Sequence, residues 1–207
     1  LAVKRFCEPR ESRPSYYSHY RREVSVAEKS LLPMLKALVA GGRDEDVSRV
    51  LEFVRESPGE FRLDECQVPC LKSIVPWSKK QLGSPHRQLA SWLAAVRQRL
   101  ETATARRPEP PADWARPAEV DCNCRYCAQL NSFLADGANM VTRIAAREDL
   151  RRHVLDAIGR HQCDVKSTLE RKGSPHALLL TKTTGSFERA VKRFEADRRL
   201  LRELPSA

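Results

Sequence analysis

Three cysteines lie within six positions of the sequence, and they are its strongest candidates for chemistry. Residues 121–127 read Asp-Cys-Asn-Cys-Arg-Tyr-Cys, so Cys124 and Cys127 form a Cys-x-x-Cys pair and Cys122 lies two residues upstream. Thiolates at this spacing can surround one tetrahedral Zn²⁺ ion, because zinc accepts soft sulfur ligands. The sequence therefore predicts a structural metal site with zinc as the cofactor.

A structural zinc site needs a fourth ligand, since such sites are almost always four-coordinate. His153, His161 and Cys163 are the candidates downstream. We favour His153, because its predicted helix packs beside the cysteine cluster, and Cys163 is the close competitor. Buried free thiols and a redox switch stay open as alternatives, although no thioredoxin-like strand precedes the Cys-x-x-Cys pair.

Four parts of the chain are predicted to position this cluster. They are a basic aromatic segment (1–25), a helical domain (26–106), a proline-rich linker (107–118) and a cysteine-cluster domain (119–207). The arginines and tyrosines of the first part are typical either of a nucleic-acid arm or of a linker that packs its tyrosines on neighbouring helices.

Apolar residues recur at helical spacing through the second part and predict four short antiparallel helices. The first is expected to begin near Ser30 with Pro33 in its first turn, and the second near Asp44. The third lies around residues 63–77, and the fourth begins at a Ser84 cap followed by proline.

The cysteine-cluster domain is predicted to be small and mixed in structure. We expect a helix at 128–134, a strand at 139–145, a helix at 147–160, a hairpin of strands 164–171 and 176–183, and a last helix capped by Ser186. The fold class is therefore α+β and predominantly helical. A helical bundle or stack of helical hairpins precedes a zinc-stapled α/β domain with an antiparallel hairpin.

The formal charge of +10 makes an anionic partner plausible. Cations of the hairpin and neighbouring elements are predicted to form one basic face that binds nucleic acid: Arg143, Arg151, Arg152, Lys166, Arg171, Lys172 and Lys182. A protein partner is the alternative. No apolar run approaches the ~20 residues of a membrane span, so no membrane partner is expected.

The cysteines and the first residues bear on where the protein is found. Seven cysteines, an odd number with three crowded together, predict reduced thiols and an intracellular protein, nuclear or cytoplasmic. The first residues, Leu-Ala-Val-Lys-Arg, lack the apolar region of a signal peptide and do not include Met. We expect a piece of a longer chain.

The last third of the chain resembles a segment of large eukaryotic proteins. The resemblance covers Cys124-x-x-Cys127, Arg151-Arg152-His153, the run Glu170 to Pro175, and Leu178 to Lys182. Those proteins carry an iron/2-oxoglutarate oxygenase-like module nearer the N-terminus, and this segment belongs to their poorly characterised C-terminal region. The resemblance implies an accessory module, and it supports His153 as a ligand because that histidine follows paired arginines.

The function predicted from these patterns is a non-catalytic, zinc-stabilised module that contacts nucleic acid. The first alternative is a protein-interaction scaffold within a larger multidomain protein. The second is a zinc-dependent enzyme or an oxygenase-associated accessory domain. Catalysis is the weaker hypothesis, because Glu119 and Asp121 are the only carboxylates beside the cluster and neither lies in a known signature.

Overall fold

The structure, a computed structural model, describes Val3, Phe6, Cys7 and residues 26–206, with side chains from residue 29 onward in the first helix. The rest of the basic aromatic segment lies outside the described residues. The described chain is mostly helical and contains one three-stranded antiparallel sheet, as the sequence predicts. It divides into two compact units, Leu1–Arg106 with Glu195–Ala207, and Arg107–Phe194.

The first unit is built around four helices. They are α1 (Val26–Ala40), α2 (Asp44–Glu56), α3 (Val68–Leu82) and α4 (Arg87–Ala103), and a π-helical turn (Leu63–Gln67) leads into α3. Helix α1 packs against α2 and α3, and α4 packs against the same two helices. Their apolar stripes meet in one core, which includes Leu35, Val50, Ile74 and Leu89, all fully buried. Burial of these stripes from water is what holds the helices together.

Three helices in this unit differ in position from the sequence prediction. Helix α3, expected around residues 63–77, spans Val68–Leu82 and follows the π-helical turn. Pro33 lies in the interior of α1, which begins at Val26 rather than near Ser30. Helix α4 begins at Arg87 rather than after Ser84. The residue before it, His86, has extended backbone angles (φ −61°, ψ 131°) and is held by other elements. Its N–H donates to Ser78 Oγ at 3.5 Å, and its Nε2 lies 3.0 Å from Asp44 Oδ1.

The second unit contains the sheet. Its elements are α5 (Arg125–Ala135), β1 (Val141–Ala145), α6 (Glu148–Arg160), β2 (Val165–Glu170), β3 (Ala177–Lys182) and the start of α7 (Gly185–Glu203). The strand order is β1-β3-β2, with both neighbours antiparallel to β3. The predicted strand, hairpin and helices are therefore present, with no end shifted by more than three residues.

The two faces of this sheet have different surroundings. Residues opposite one another in an antiparallel register share a face. Ile144, Leu178 and Leu180 lie on the core face and form one buried cluster with residues of α5 and α6. Arg143, paired with Leu179, and Lys166 lie on the other face, where all three are exposed.

The proline-rich segment 107–118 belongs to the second unit. The N–H groups of Trp114 and Arg116 donate to Gly137 O and Leu134 O at 3.0 and 2.7 Å. The Asp113 carboxylate lies against Gly137, where an added Cβ would come within 2.6 Å of Oδ2. A larger residue here would therefore require the Asp113 side chain to shift.

Helix α7 begins differently from the prediction, which made Ser186 its cap. Ser186 lies inside the first turn, and its N–H donates to Asp164 Oδ1 and Oδ2 at 2.8 and 2.9 Å. Its hydroxyl also donates to Asp164. A carboxylate from the residue before β2 therefore satisfies one of the free N–H groups at the start of this helix.

Candidate metal centre

Four side chains that the sequence predicts as ligands lie together in the second unit. The Sγ atoms of Cys122, Cys124 and Cys127 and a ring nitrogen of His153 all lie within 4.8 Å of one another. His153 Nε2 lies 3.3 Å from Cys122 Sγ and 3.2 Å from Cys127 Sγ. Three thiols and one imidazole in this arrangement could hold a metal ion.

Helix α5 sets the positions of two of these cysteines. Cys124 is the residue before the helix, and its Sγ accepts the N–H of Cys127 at 3.5 Å. Cys127 is the third residue of the helix and is fully buried. A Cys-x-x-Cys pair at a helix N-terminus thus turns both sulfurs to one point, because the first residue lies outside the helix and the second lies one turn within it.

The other two side chains come from separate elements. His153 lies on α6, which packs against α5. Cys122 lies in the segment before α5, and that segment is held by Asn131. The Asn131 side chain accepts the N–H of Val120 through Oδ1 and donates to Val120 O through Nδ2, both at 2.9 Å. Sequence reasoning missed Asn131, because an asparagine within a helix carries no local signal of such a contact.

The thiols have opposite electrostatic surroundings. The backbone N–H of Cys127 stabilises the Cys124 thiolate and lowers the pKa of Cys124 to about 6. Burial raises the pKa of Cys127 to about 12, and the neighbouring thiols Cys124 and Cys122 add to this effect. A bound dication favours the thiolate form of every ligand, so this group of thiols has the chemistry of a metal site.

The two sulfur–nitrogen distances are compatible with a bound metal ion, and zinc gives the comparison. Bonds of about 2.3 Å to sulfur and about 2.0–2.1 Å to nitrogen at tetrahedral angles place sulfur and nitrogen ligands about 3.5 Å apart. The sulfur–nitrogen distances of 3.2 and 3.3 Å lie close to this value. The donor set also fits, since structural zinc sites include Cys₃His.

The other two candidates for the fourth ligand, Cys163 and His161, lie outside this cluster. Cys163 is 8% exposed and belongs to the buried cluster, where burial raises its pKa. His161 follows the end of α6, and its N–H donates to Ala157 O. Among the described residues, the only such cluster contains neither of them.

The predicted nucleic-acid residues do not form one basic face. Arg143 Nε contacts Glu170 Oε2 at 2.5 Å, and Arg152 contacts Glu148 at 3.4 Å. Arg151 donates to the carbonyl oxygen of Ala146 at 2.5 Å. Helix α6, which carries Arg151 and Arg152, packs on the core face of the sheet, whereas Arg143 and Lys166 lie on the open face.

The clearest departure from the predicted basic face is at Lys182. Its side chain is only 1% exposed and cannot contact a phosphate. Its Nζ donates to Asp136 O and lies 4.4 Å from the ring centroid of Phe133. The position opposes Val165 in the register, and its side chain lies on the core face like those of Leu178 and Leu180. Lys166, Arg171 and Lys172, by contrast, are exposed.

Comparison with known proteins gives no identification. No protein-family model matches the chain, and neither a curated protein nor a solved structure does. In the described part of the chain, no helix has the length and apolar character needed to cross a membrane.

Proposed function

We propose that the second unit is a non-catalytic binding domain stabilised by one zinc ion, with Cys122, Cys124, Cys127 and His153 as ligands. The observation that carries this proposal is the meeting of four ligand atoms within 4.8 Å, drawn from three separate elements. An ion bound there joins the segment before α5, helix α5 and helix α6, and so reinforces a small hydrophobic core.

A structural role is favoured over catalysis by the number of ligands. Catalytic zinc sites typically have three protein ligands and keep one position for water or substrate. Four protein side chains fill a tetrahedral shell and leave no such position. The binding energy of the metal then contributes to folding.

Metal content of the purified full chain tests the proposal. We expect one zinc per chain by mass spectrometry of the metal, lost in both Cys124→Ser and His153→Ala together with several kcal/mol of stability. His161→Ala is the matched control and keeps its zinc. Protein prepared without chelator that contains no zinc would contradict the proposal. If zinc were lost from Cys124→Ser but kept in His153→Ala, the fourth ligand would be a residue other than His153.

A second proposed activity is contact with nucleic acid through the β2–β3 hairpin. Its support is a set of three exposed cations, Lys166, Arg171 and Lys172, without a carboxylate partner among the described residues. Cations on a protruding hairpin can approach a phosphate backbone, and the counterions they release make binding depend steeply on salt.

Binding of a fluorescent oligonucleotide across a salt series tests this activity. We expect affinity to fall with salt, and the logarithmic slope to decrease by roughly 0.7–0.9 for each phosphate that a variant no longer neutralises. Arg171→Ala combined with Lys172→Ala should reduce both affinity and slope. Lys192→Ala combined with Arg193→Ala removes the same charge from α7 and serves as control. Equal reductions in both double variants would mean that only net charge attracts the oligonucleotide.

A further inference from the structure

Among the described residues, strand β2 pairs with another strand on one side only. The strand order β1-β3-β2 leaves it with a single neighbour. Thr183 N–H donates to Asp164 O at 2.8 Å, and the regular register continues from this pair. Hydrogen-bonded and non-hydrogen-bonded pairs alternate in an antiparallel ladder, so the even-numbered residues of β2 bond to β3. Ser167 and Leu169 therefore direct their N–H and C=O groups away from the sheet.

Within the described residues, neither a bulge nor a proline protects this edge, which carries one exposed cation, Lys166. The register of β2 runs without a bulge from Val165 to Glu170, and no proline interrupts the strand. Leu169 is 42% exposed. The other edge is partly covered, since Gln129 Nε2 donates to Arg143 O at 3.4 Å. Proteins usually shield an exposed edge, because its free backbone groups can pair with another strand.

We propose that this partner is a second copy of the chain, which adds its own β2 antiparallel to the first about a two-fold axis at Thr168. In this register Lys166 lies opposite Glu170 of the second copy, and the symmetry repeats the pair. Ser167 lies opposite Leu169 of the second copy, so the outward peptide groups of both strands are paired. The two sheets join into one continuous sheet.

The charges of β2 select this register. Lys166 has no carboxylate partner among the described residues, and the pairing supplies Glu170 of the second copy, a carboxylate that also contacts Arg143 of its own chain. An axis at Ser167 would set Asp164 opposite Glu170, and an axis at Leu169 would set Lys166 opposite Lys172. Like charges directly opposite one another destabilise a strand pair. Of these three registers, only the one about Thr168 sets residues of opposite charge opposite one another.

Charge reversal in two separate chains tests the proposal. The mass of the full-length, zinc-supplied protein is measured by light scattering after gel filtration, from low to high micromolar concentration. We expect the wild type to form dimers as concentration rises. Lys166→Glu and Glu170→Lys should each remain monomeric, because each sets like charges opposite. An equal mixture of these two variants should dimerise again, since both pairs are then opposite in charge.

Lys192→Glu is the matched control, because it makes the same change of charge on α7 and should leave the dimer unchanged. Circular dichroism checks that every variant is folded. A wild type that stays monomeric throughout, or a dimer that persists in Lys166→Glu, would overturn the proposal. So would a mixture of the two variants that remains monomeric.

A cysteine at the axis gives an independent readout. The two Thr168 residues would form a non-hydrogen-bonded pair with Cα atoms about 4.5 Å apart, within the range of a disulfide. With oxidised glutathione as oxidant, Thr168→Cys should give a covalent dimer on a non-reducing gel. Lys192→Cys should not. Equal cross-linking in the two variants would show that no specific edge pairing occurs.

Discussion

At the scale of single residues, two cations lie buried in the second unit, although lysine and arginine side chains are usually exposed. Arg116 is 5% exposed, and its Nε donates to Thr183 O at 2.7 Å. Lys182 donates to Asp136 O and lies over the Phe133 ring. Burial lowers the pKa of Lys182, although the Asp136 carboxylate opposes this effect. Arg116 therefore links the proline-rich segment to the residue after β3, and Lys182 links β3 to the end of α5.

The burial of Lys182 predicts a dependence of stability on pH. Its folded-state pKa is lowered below the ordinary value of 10.5, so in the window between the two values the unfolded chain binds more protons. Stability contributed by this residue therefore rises with pH across that window. Urea titrations give the free energy of unfolding of the wild type and of Lys182→Met at each pH. We expect the difference, wild type minus variant, to increase towards pH 10.5. Lys192→Met is the exposed control, and the same rise there would contradict the assignment.

At the scale of elements, the start of α7 depends on a side chain distant in sequence. Asp164 is 5% exposed, accepts the N–H and hydroxyl of Ser186, and lies 3.3 Å from Arg189. The carboxylate lies at the positive end of the helix, where the first N–H groups have no acceptor within the helix. The residue that precedes β2 thus links the sheet to the last helix.

Loss of this carboxylate should destabilise the protein. For Asp164→Ala we expect a loss of about 1–3 kcal/mol in the free energy of unfolding, because buried N–H groups lose their acceptor. Asp164→Asn keeps an acceptor and should recover part of the loss. Glu101→Ala, an exposed change on α4, should stay within about 0.5 kcal/mol. Urea titrations measure all three, and an unchanged Asp164→Ala would contradict the capping role.

At the scale of the whole molecule, the described residues have two separate hydrophobic cores, and the candidate metal centre lies beside only one of them. Helix α7 belongs to the second unit at its beginning and to the first unit at its end. Leu200 near that end and Leu204 just after the helix lie in the core of the first unit. The net charge of +10 attracts any polyanion to some degree. A specific nucleic-acid surface is therefore identified only by a variant that lowers the slope of log affinity against log salt concentration more than its matched control does.

Much of this organisation follows from local patterns in the sequence. Helical periodicity places α2, α4, α5 and α6 within about three residues of their observed starts, and the hairpin follows from two strand-like runs around a glycine turn. The cysteine spacing alone brings Cys124 and Cys127 to one helix end. These features depend on residues within a few positions of one another, which is the range over which propensity and spacing act.

The remaining features depend on which elements pack against one another, so only the tertiary structure decides them. The packing of α5 against α6 brings His153, rather than Cys163, to the sulfurs. The strand order buries Lys182 and sets Arg143 and Arg151 on opposite sides of the sheet, so a basic composition does not become one basic face. Asn131 and Asp164 act on residues 11 and 22 positions away, a distance that no local pattern records.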